Sequence, residues 1–267
     1  MEYTNVDFLG RTMPYYSAEG LEYMKNVTIG IAGCGGVGGA YAMQMARLGI
    51  EKFVLADPAN FDLPDINRQW GAFNSSLGKH KLQVYEEILL SINPNIKIKR
   101  FNDGLTDKNV IEFIKDCDII ADCLDIKVPS ELRNKLYIES REKGLYVLSF
   151  PIIGFGGLCA ISDPNGESMD KFISFLTKGI SGKIPKKLTE IFGVEHIELI
   201  QRMVVESFVP SNAIAPAFTA NLAAMETLLI LLKEFLKNPR TPVTLPNIIA
   251  FEPYKLNFHL LNINDLN

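Results

Sequence analysis

The chain has 267 residues, of which 47% are hydrophobic, and its formal net charge at pH 7 is −4. This composition is ordinary for a folded globular protein. The negative charge disfavours general nucleic-acid binding, which usually needs a basic face. The first residues contain no basic segment followed by an apolar core, so no signal peptide is expected. The most apolar stretch, 213–232, contains Asn221 and Glu226 near its middle, which favours a buried core helix over a membrane span.

Cysteine and histidine spacing gives no sign of a bound transition metal. The four cysteines form no C-x-x-C pair, and the three histidines lack metal-ligand spacing. We therefore predict free thiols and no structural zinc, and we expect a reducing, cytoplasmic location. These residues are Cys34, Cys117, Cys123, Cys159, His80, His196 and His259.

Strand and helix patterns alternate through the first 150 residues. A short preface, 1–26, contains one predicted helix at 18–25. Predicted strands are 27–32, 52–56, 96–101, 119–123 and 146–150. Predicted helices are 39–48, 79–92, 108–116 and 130–143. Strands separated by helices pair in parallel through right-handed crossovers, so we predict a Rossmann-like, mostly parallel α/β sheet flanked by helices.

The second half of the chain has a different pattern. Residues 152–162 are glycine-rich and strand-like, 211–237 form a predicted long helix, and 248–251 and 256–261 are predicted closing antiparallel strands. Between them, 164–210 is a polar, variable crossover segment. Its lysine set favours a solvated surface loop, and the alternative is a mobile segment that covers the site or meets an acidic partner. That set is Lys178, Lys183, Lys186 and Lys187. We expect one domain over 1–267.

A glycine-rich turn, Gly33-Cys34-Gly35-Gly36-Val37-Gly38, follows the first predicted strand and opens a helix. In such a unit Gly33 permits the tight turn, Gly35 lets a phosphate approach the backbone, and Gly38 lets helix and strand pack closely. Gly36 adds another position without a side chain, and the helix N-terminus offers free N–H groups to an anion. A glycine turn without a ligand is the simpler but less favoured interpretation.

Asp57 ends the second predicted strand, nineteen residues after Gly38. A carboxylate at this position can accept hydrogen bonds from both hydroxyls of a ribose. These features alone fit a nicotinamide-dependent oxidoreductase equally well.

Two cations beside the predicted nucleotide site favour a triphosphate. Arg68 lies between Asn67 and Gln69, and Lys81 lies at a predicted helix start. Arginine can clamp phosphate oxygens through two parallel hydrogen bonds, and lysine acts as a point charge. Taken singly, each is more often a plain surface cation.

Asp122 and Asp125 follow the fourth predicted strand. Ligands of open α/β sheets bind outside the carboxyl ends of the strands. A carboxylate that faces a polyphosphate there usually does so through magnesium. Asp125 is the favoured ligand, and Asp122 is equally consistent with anchoring its own loop.

These motifs together resemble the ATP-binding core of the ThiF/MoeB/HesA family, the ubiquitin-activating type of adenylating enzymes. The similar stretch runs from Val27 to Asp125, and the apolar helix and closing strands also resemble the family's C-terminal half. The resemblance implies ATP and Mg²⁺ as cofactors and adenylation of a carboxylate. That carboxylate belongs either to a small carrier protein or peptide or to a small-molecule acid.

The resemblance also implies roles for residues. Gly36, Asn67, Arg68 and Lys81 would contact the phosphates. Asp57 would bind the ribose, and Asp125 would bind the magnesium ion. The catalytic set is Arg68, Lys81 and Asp125. The nucleotide-binding set is Gly33, Gly35, Gly36, Gly38, Asp57, Asn67, Arg68, Gln69, Lys81, Asp122 and Asp125.

Several positions depart from the family pattern. Two C-x-x-C pairs and a late acyl-accepting cysteine are missing, Ala59 replaces a second carboxylate, and Pro64-Asp65-Ile66 replaces Ser-Asn-Leu. We therefore expect adenylation without a catalytic cysteine or zinc. The family resemblance and the unusually apolar stretch 222–232 also predict a homodimer. The alternatives are a nicotinamide-dependent oxidoreductase and a non-catalytic nucleotide-binding subunit that pairs with an active relative. The acyl pocket is expected near 151–158 and 164–210.

Overall fold

Helices and strands alternate along the chain in the computed structural model, which describes residues 8–181, 185–205 and 210–266. The strands are β1 (Thr28–Ala32), β2 (Lys52–Ala56), β3 (Lys97–Phe101), β4 (Ile119–Asp122), β5 (Tyr146–Ser149), β6 (Ile152–Ile153), β7 (Gly156–Ser162), β8 (Asn247–Glu252) and β9 (Asn257–Asn262). The helices are α1 (Met13–Asn26), α2 (Gly36–Arg47), α3 (Lys81–Ile92), α4 (Val110–Ile114), α5 (Ser130–Glu142), α6 (Met169–Ser181), α7 (Lys186–Phe192), α8 (Val194–Val205) and α9 (Ile214–Leu231).

One mixed sheet organises these elements. Its strand order is β3-β2-β1-β4-β5-β7-β8-β9, and the short β6 pairs with β7. The pairs from β3 to β5 are parallel, and the pairs from β5 to β9 are antiparallel. The chain leaves β1 toward β2 and β3 and later returns to β4 on the other side of β1. This reversal opens a crevice at the carboxyl ends of β1 and β4, where ligands of such sheets bind.

The central strands are buried on both faces, which explains their continuous apolar sequences. Two clusters of buried side chains lie on opposite faces of the sheet, because alternate residues of a strand point to opposite sides. Ile29 and Ile31 of β1 belong to one cluster, and Ile120 of β4 belongs to the other. The mixed α/β fold predicted from the alternating pattern is confirmed.

Predicted boundaries agree with the structure to within one or two residues for most strands. The largest difference at the site is the start of α2, which begins at Gly36 and not at residue 39. The last glycines of the turn thus form the first helical turn. Helix α1 is interrupted by the non-helical backbone of Tyr16 and Ser17, and its part after this kink matches the predicted helix 18–25. The long C-terminal helix is shorter than predicted and ends at Leu231.

The crossover segment 164–210 is not the loop that its lysines suggested. Its described part forms α6, α7 and α8, which bury apolar side chains in the second cluster. Lys186 and Lys187 each lie 3.7 Å from a carboxylate oxygen of Glu190, as expected for the solvated face of a helix. Lys183 and the side chain of Lys178 lie outside the described residues.

Helix α9 serves as a core helix. By length and composition it could cross a membrane, but 56% of it is buried inside the protein, where it packs against α2 and β7. Glu226 in its middle is fully buried, forms an ion pair with Arg240, and accepts a hydrogen bond from Val243 N at 3.0 Å. The carboxylate thereby fixes the chain that leads into β8, since a buried charge needs such partners.

Candidate functional site

The glycine turn has the close backbone approaches predicted for it. Gly33 has φ +91°, and a Cβ there would lie 2.3 Å from the carbonyl oxygen of Cys123. A Cβ on Gly38 would lie 1.9 Å from the carbonyl oxygen of Gly33. Side chains at these two positions would separate the turn from the strand ends, so both glycines are required by the backbone geometry.

Gly35 and Gly36 border the open side of the turn. A Cβ on Gly35 would find its nearest neighbour, Gln69 Nε2, 4.0 Å away, and one on Gly36 would lie 3.1 Å from Pro216 and 3.6 Å from the carbonyl oxygen of Arg68. Because α2 begins at Gly36, the N–H groups of its first turn have no partner within the helix. They offer an anion site that the positive end of the helix dipole strengthens.

Asp57 ties the glycine turn to the end of β2. Its Oδ2 accepts a hydrogen bond from Cys34 N at 2.8 Å, and its Oδ1 accepts one from Ala59 N at 2.9 Å. The residue is 6% exposed. Each oxygen keeps a second lone pair for a ribose hydroxyl, and the assignment of Asp57 to the ribose stays a prediction.

The loop that carries Asn67, Arg68 and Gln69 is a 3-10 turn, Leu63–Asn67, and the two residues after it. Arg68 donates to Pro64 O at 2.9 Å and to Asn67 Oδ1 at 3.0 Å. Gln69 is buried, and both Arg68 and Gln69 donate to Asp65. The loop presents a side-chain assembly that is bonded together before any ligand arrives.

Lys81 is the first residue of α3 and is less accessible than the sequence suggested. The sequence predicts a position for Lys81 at the polar edge of the sheet, but the residue is only 8% exposed. Its Nζ lies 3.5 Å from Asp65 Oδ2 and 5.6 Å from the centre of the Phe61 ring. A buried ammonium needs an anionic or π-electron partner, and Lys81 has both.

Asp122 lies beneath the site, where it anchors its own loop. It is 3% exposed, accepts a hydrogen bond from Tyr137, and lies 3.1 Å from Arg133 Nε. Burial, and then the charge of Asp122, raises the pKa of Tyr137 well above its usual value, so the phenol stays protonated and donates. This geometry favours the anchoring interpretation of Asp122.

Arg133 and Tyr137 were not predicted from the sequence. Arg133 also donates to the carbonyl oxygens of Leu124 at 2.8 Å and Asp125 at 3.1 Å, so it holds the loop after β4. The two residues are four apart on the predicted helix 130–143, which places them on one face. This four-residue spacing, on a helix that follows Asp122 and Asp125, is the sequence feature that could have identified Arg133 and Tyr137.

Asp125 is exposed at the carboxyl end of β4. Its Oδ1 accepts a hydrogen bond from Lys127 N at 3.0 Å. The described residues contain no cluster of three or more metal-binding side chains. Magnesium in nucleotide sites commonly takes one or two protein carboxylates, substrate phosphates and waters, so a single exposed carboxylate fits such an ion.

Three loops therefore meet at the crevice between β1 and β4. The glycine turn lies beside the loop after β4 at Gly33 and beside the 65–69 loop at Gly35 and Gly36, because a Cβ placed on any of these glycines would lie within 4.0 Å of that loop. Lys81 joins this group through Asp65. The structure thus brings the predicted glycines, cations and Asp125 to one edge of the sheet.

An open cavity of about 370 Å³ lies beside Arg68. Its lining is mostly apolar and includes none of the glycines of the turn. The lining residues are Met43, Ile66, Asn67, Arg68, Gln69, Trp70, Ala72, Phe73 and Ala213. The cavity thus borders the predicted site through Asn67, Arg68 and Gln69 but does not include the glycine turn.

The region expected to hold the acyl group contains an aromatic cluster. Phe155 stacks on Tyr254 with ring centres 5.5 Å apart and meets His196 edge-on at 5.9 Å. Asn212 donates to the carbonyl oxygen of Gly154 at 2.9 Å, which links this turn to the start of α9. Its role in acyl binding stays a prediction.

Known proteins with similar sequences cover part of the chain. HesA of Nostoc sp. is 28% identical over 130 residues, which are 49% of this chain and 52% of HesA. A tRNA threonylcarbamoyladenosine dehydratase of Escherichia coli is 25% identical over 192 residues, which are 69% of this chain and 66% of the relative. The chain spans about half the length of the HesA proteins that it matches.

A similar fold occurs in Escherichia coli MccB, solved with ATP. That structure superposes with a TM-score of 0.73 at 18% identity and covers 98% of this chain and 73% of MccB. MccB has also been solved with AMPCPP and MccA, with the same TM-score at 19% identity. The model of the ThiF family matches residues 9–267. The chain belongs to the ThiF family.

Proposed function

We propose that this protein uses ATP to adenylate a carboxylate and releases pyrophosphate. The observation that carries the proposal is the meeting of three loops at the crevice between β1 and β4. There, a helix N-terminus, two cations and an exposed aspartate lie at one edge of the sheet. The similarity to MccB, which has been solved with ATP, supports ATP as the nucleotide.

The proposed reaction joins two anions. A carboxylate oxygen attacks the α-phosphorus, the bond from that phosphorus to the bridging oxygen breaks, and pyrophosphate leaves with the bond's electron pair. The products are an acyl-adenylate and pyrophosphate. Arg68 and Lys81 oppose the negative charge that develops on the phosphates, and such fixed charges lower barriers strongly in a site with little water.

Asp125 would hold Mg²⁺ in this reaction. A bound magnesium ion neutralises phosphate charge and stabilises the leaving pyrophosphate. The chain's contribution is to place one exposed carboxylate at the end of β4 on a loop that Arg133 holds.

The carboxylate substrate is proposed to enter from the side of Phe155 and Tyr254. The structure of MccB with AMPCPP and MccA supports a site that holds a nucleotide and a second molecule together. The acceptor would be a small carrier protein or peptide, or a small-molecule acid. Pyrophosphate release, screened against candidate acids and small proteins encoded nearby, identifies it.

Titration with nucleotides tests the proposal against an oxidoreductase. We expect calorimetry to detect MgATP binding and no significant NAD binding, because two cations and an exposed aspartate suit a triphosphate. Tight NAD binding with hydride transfer would contradict adenylation. A protein that binds MgATP but releases no pyrophosphate with any acceptor would instead support a non-catalytic partner subunit.

No cysteine is proposed to carry the acyl group. Burial raises the pKa of all four thiols, with a further increase at Cys123 from Asp122 and a value of about 12 at Cys117. The thiolate is the nucleophile in thioester formation, so these thiols are poorly suited to that step.

A variant with all four cysteines replaced by alanine should retain adenylation within about 3-fold, since none of the thiols takes part in the step. Pyrophosphate release measures the rate, and gel analysis with and without reductant detects adducts. Should the fourfold variant not fold, Cys123→Ala alone answers the question for the cysteine closest to Asp125. A reductant-sensitive adduct on the wild type that disappears in Cys123→Ala would overturn this prediction.

The protein is also proposed to form a homodimer. The apolar stretch 222–232, which first suggested this, is largely buried in the protein's own core. A better argument comes from α9, where Ile214, Phe218 and Met225 are about half exposed and lie on one face of the helix. The cavity beside Arg68 adjoins this face through Ala213. An apolar surface of this kind fits a second copy of the chain.

Replacing Phe218 with aspartate should convert the dimer to a monomer, because it buries a charge at the proposed contact. Sedimentation or light scattering measures the mass. Leu256→Asp is the matched control, since Leu256 is 91% exposed and directly precedes β9 rather than belonging to α9. A monomeric wild type, or a dimer that only Leu256→Asp disrupts, would contradict the proposed surface.

A further inference from the structure

One buried carboxylate, that of Asp65, connects the side chains assigned to the phosphates. Its Oδ1 accepts hydrogen bonds from Arg68 Nη2, at 3.3 Å, and from Gln69 Nε2. Its Oδ2 accepts one from Asp62 N at 3.1 Å and lies 3.5 Å from Lys81 Nζ. Four donors therefore converge on the two oxygens of one residue that is 8% exposed.

The local fold explains why these groups meet. Asp65 is the third residue of the 3-10 turn Leu63–Asn67, which turns its side chain back toward Asp62. Lys81 reaches it because the chain before α3 pairs with the segment that follows β2: Lys81 N donates to Ala59 O at 3.0 Å, and Asn60 forms a β-bridge with His80. The contact thus joins two segments that are separate in sequence.

Both cations keep donors for a ligand. Of the three N–H groups of the Lys81 ammonium, Asp65 takes one, and of the five of the Arg68 guanidinium, Pro64 O, Asn67 Oδ1 and Asp65 Oδ1 take three. The three charges sum to +1, so the assembly still attracts phosphate. Gln69 Oε1 is buried without a hydrogen-bond partner, which marks this assembly as one whose polar groups are not all satisfied within the chain.

We propose that Asp65 is the positioning residue of the phosphate site and holds Arg68 and Lys81 in the orientation that binds the triphosphate. The proposal rests on the proposed function. Lys81 is largely buried, and a buried ammonium without an anionic partner would turn toward water. Asp65 prevents this in the free protein, so the nucleotide meets cations that are already in place.

An amide cannot replace this carboxylate. Asparagine has one acceptor oxygen, whereas the donors approach Asp65 from two sides. If the asparagine oxygen faces Arg68 and Gln69, its NH₂ group faces the N–H of Asp62 and the ammonium of Lys81. Donor would then face donor, and Lys81 would lose its anionic partner.

Asp65→Asn should therefore weaken MgATP binding roughly 10-fold, as expected for the loss of a charge-assisted contact. Binding of adenosine should stay within about 2-fold, because adenosine has no phosphates for the cations to hold. Calorimetry measures both ligands. Asp62→Asn is the matched control: it removes the same charge from an exposed residue of the same loop, and it should leave both affinities unchanged.

A double-mutant cycle with Lys81→Met separates positioning from a general structural role. If Asp65 acts largely through Lys81, Asp65→Asn should weaken MgATP binding much less in the Lys81→Met background than in the wild type. If Asp65→Asn does not fold, Asp65→Glu replaces it. The longer side chain of Asp65→Glu would keep the charge but displace both oxygens, and roughly a 3-fold loss for MgATP alone is expected.

Three results would overturn the proposal. The first is unchanged or tighter MgATP binding by Asp65→Asn, and the second is an equal loss of adenosine binding. The third is a double variant whose loss of MgATP affinity equals the product of the fold-losses of Asp65→Asn and Lys81→Met. A wild-type protein that binds neither MgATP nor adenosine would contradict the proposed function and not the role of Asp65 within it.

Discussion

Lys81→Met is expected to lower the rate of adenylation by about 100-fold, the effect of removing one fixed charge from a transition state rich in negative charge. Methionine keeps most of the buried aliphatic volume beside Phe61, so the loss is mainly that of the ammonium. The measurement is ATP–pyrophosphate exchange in the presence of the acceptor that the pyrophosphate screen identifies. Arg68→Ala should give a loss of similar size.

Lys79→Met is the matched control for Lys81→Met. Lys79 is exposed two residues before Lys81, and its backbone oxygen accepts a hydrogen bond from Phe61 N at 3.0 Å, which Lys79→Met preserves. It should exchange pyrophosphate at the wild-type rate. Thermal unfolding of both variants checks the fold, since Lys81 is buried and its loss leaves one contact of Asp65 unmade. If Lys81→Met folds and exchanges pyrophosphate at the wild-type rate, Lys81 takes no part in the reaction.

The architecture was predictable because its signals are local and periodic. Alternating apolar strands and helices required a parallel sheet, and glycines at the first strand–helix turn required a close backbone approach. Gly33 has a positive φ and Gly38 lies against the carbonyl oxygen of Gly33, as the spacing indicated. These features depend on the covalent chain and its nearest neighbours, so sequence alone carries them.

Contacts between distant segments were not predictable in the same way. Asp65 was visible only as a departure from the family pattern, and its link to Lys81 depends on how the chain folds back before α3. The burial of Lys81 follows from the same fold. The burial of Asp122 depends on its partners Arg133 and Tyr137, which lie on a helix that begins eight residues later.

The segment 164–210 shows the opposite error, in which composition was given too much weight. The lysines suggested a loop, but Lys186 and Lys187 lie on the outer face of α7, whose inner face is apolar. Leu188, Ile191 and Phe192 are buried at helical spacing on α7, while Lys186 and Lys187 remain on the surface. The period of the apolar residues was the more informative signal.

The second large effect is expected at the magnesium ligand. Asp125→Asn should lower pyrophosphate exchange by about 100-fold, because an amide oxygen without charge is a much weaker partner for Mg²⁺. The fold should be unaffected, since Asp125 is exposed and asparagine can still accept the hydrogen bond from Lys127 N. The loss should be smaller at high Mg²⁺ concentration, because the variant binds the ion more weakly.

Titration of Mg²⁺ at fixed ATP distinguishes this role from a general effect of charge. Asp116→Asn is the matched control, because Asp116 is an exposed carboxylate just before β4 whereas Asp125 follows that strand. The control should show the wild-type Mg²⁺ dependence. The expected signature of Asp125→Asn is a Mg²⁺ requirement displaced to higher concentration, with ATP binding in the absence of Mg²⁺ unchanged or slightly tighter, since one negative charge near the phosphates is gone. Wild-type exchange by Asp125→Asn at low Mg²⁺ would show that the ion is held elsewhere.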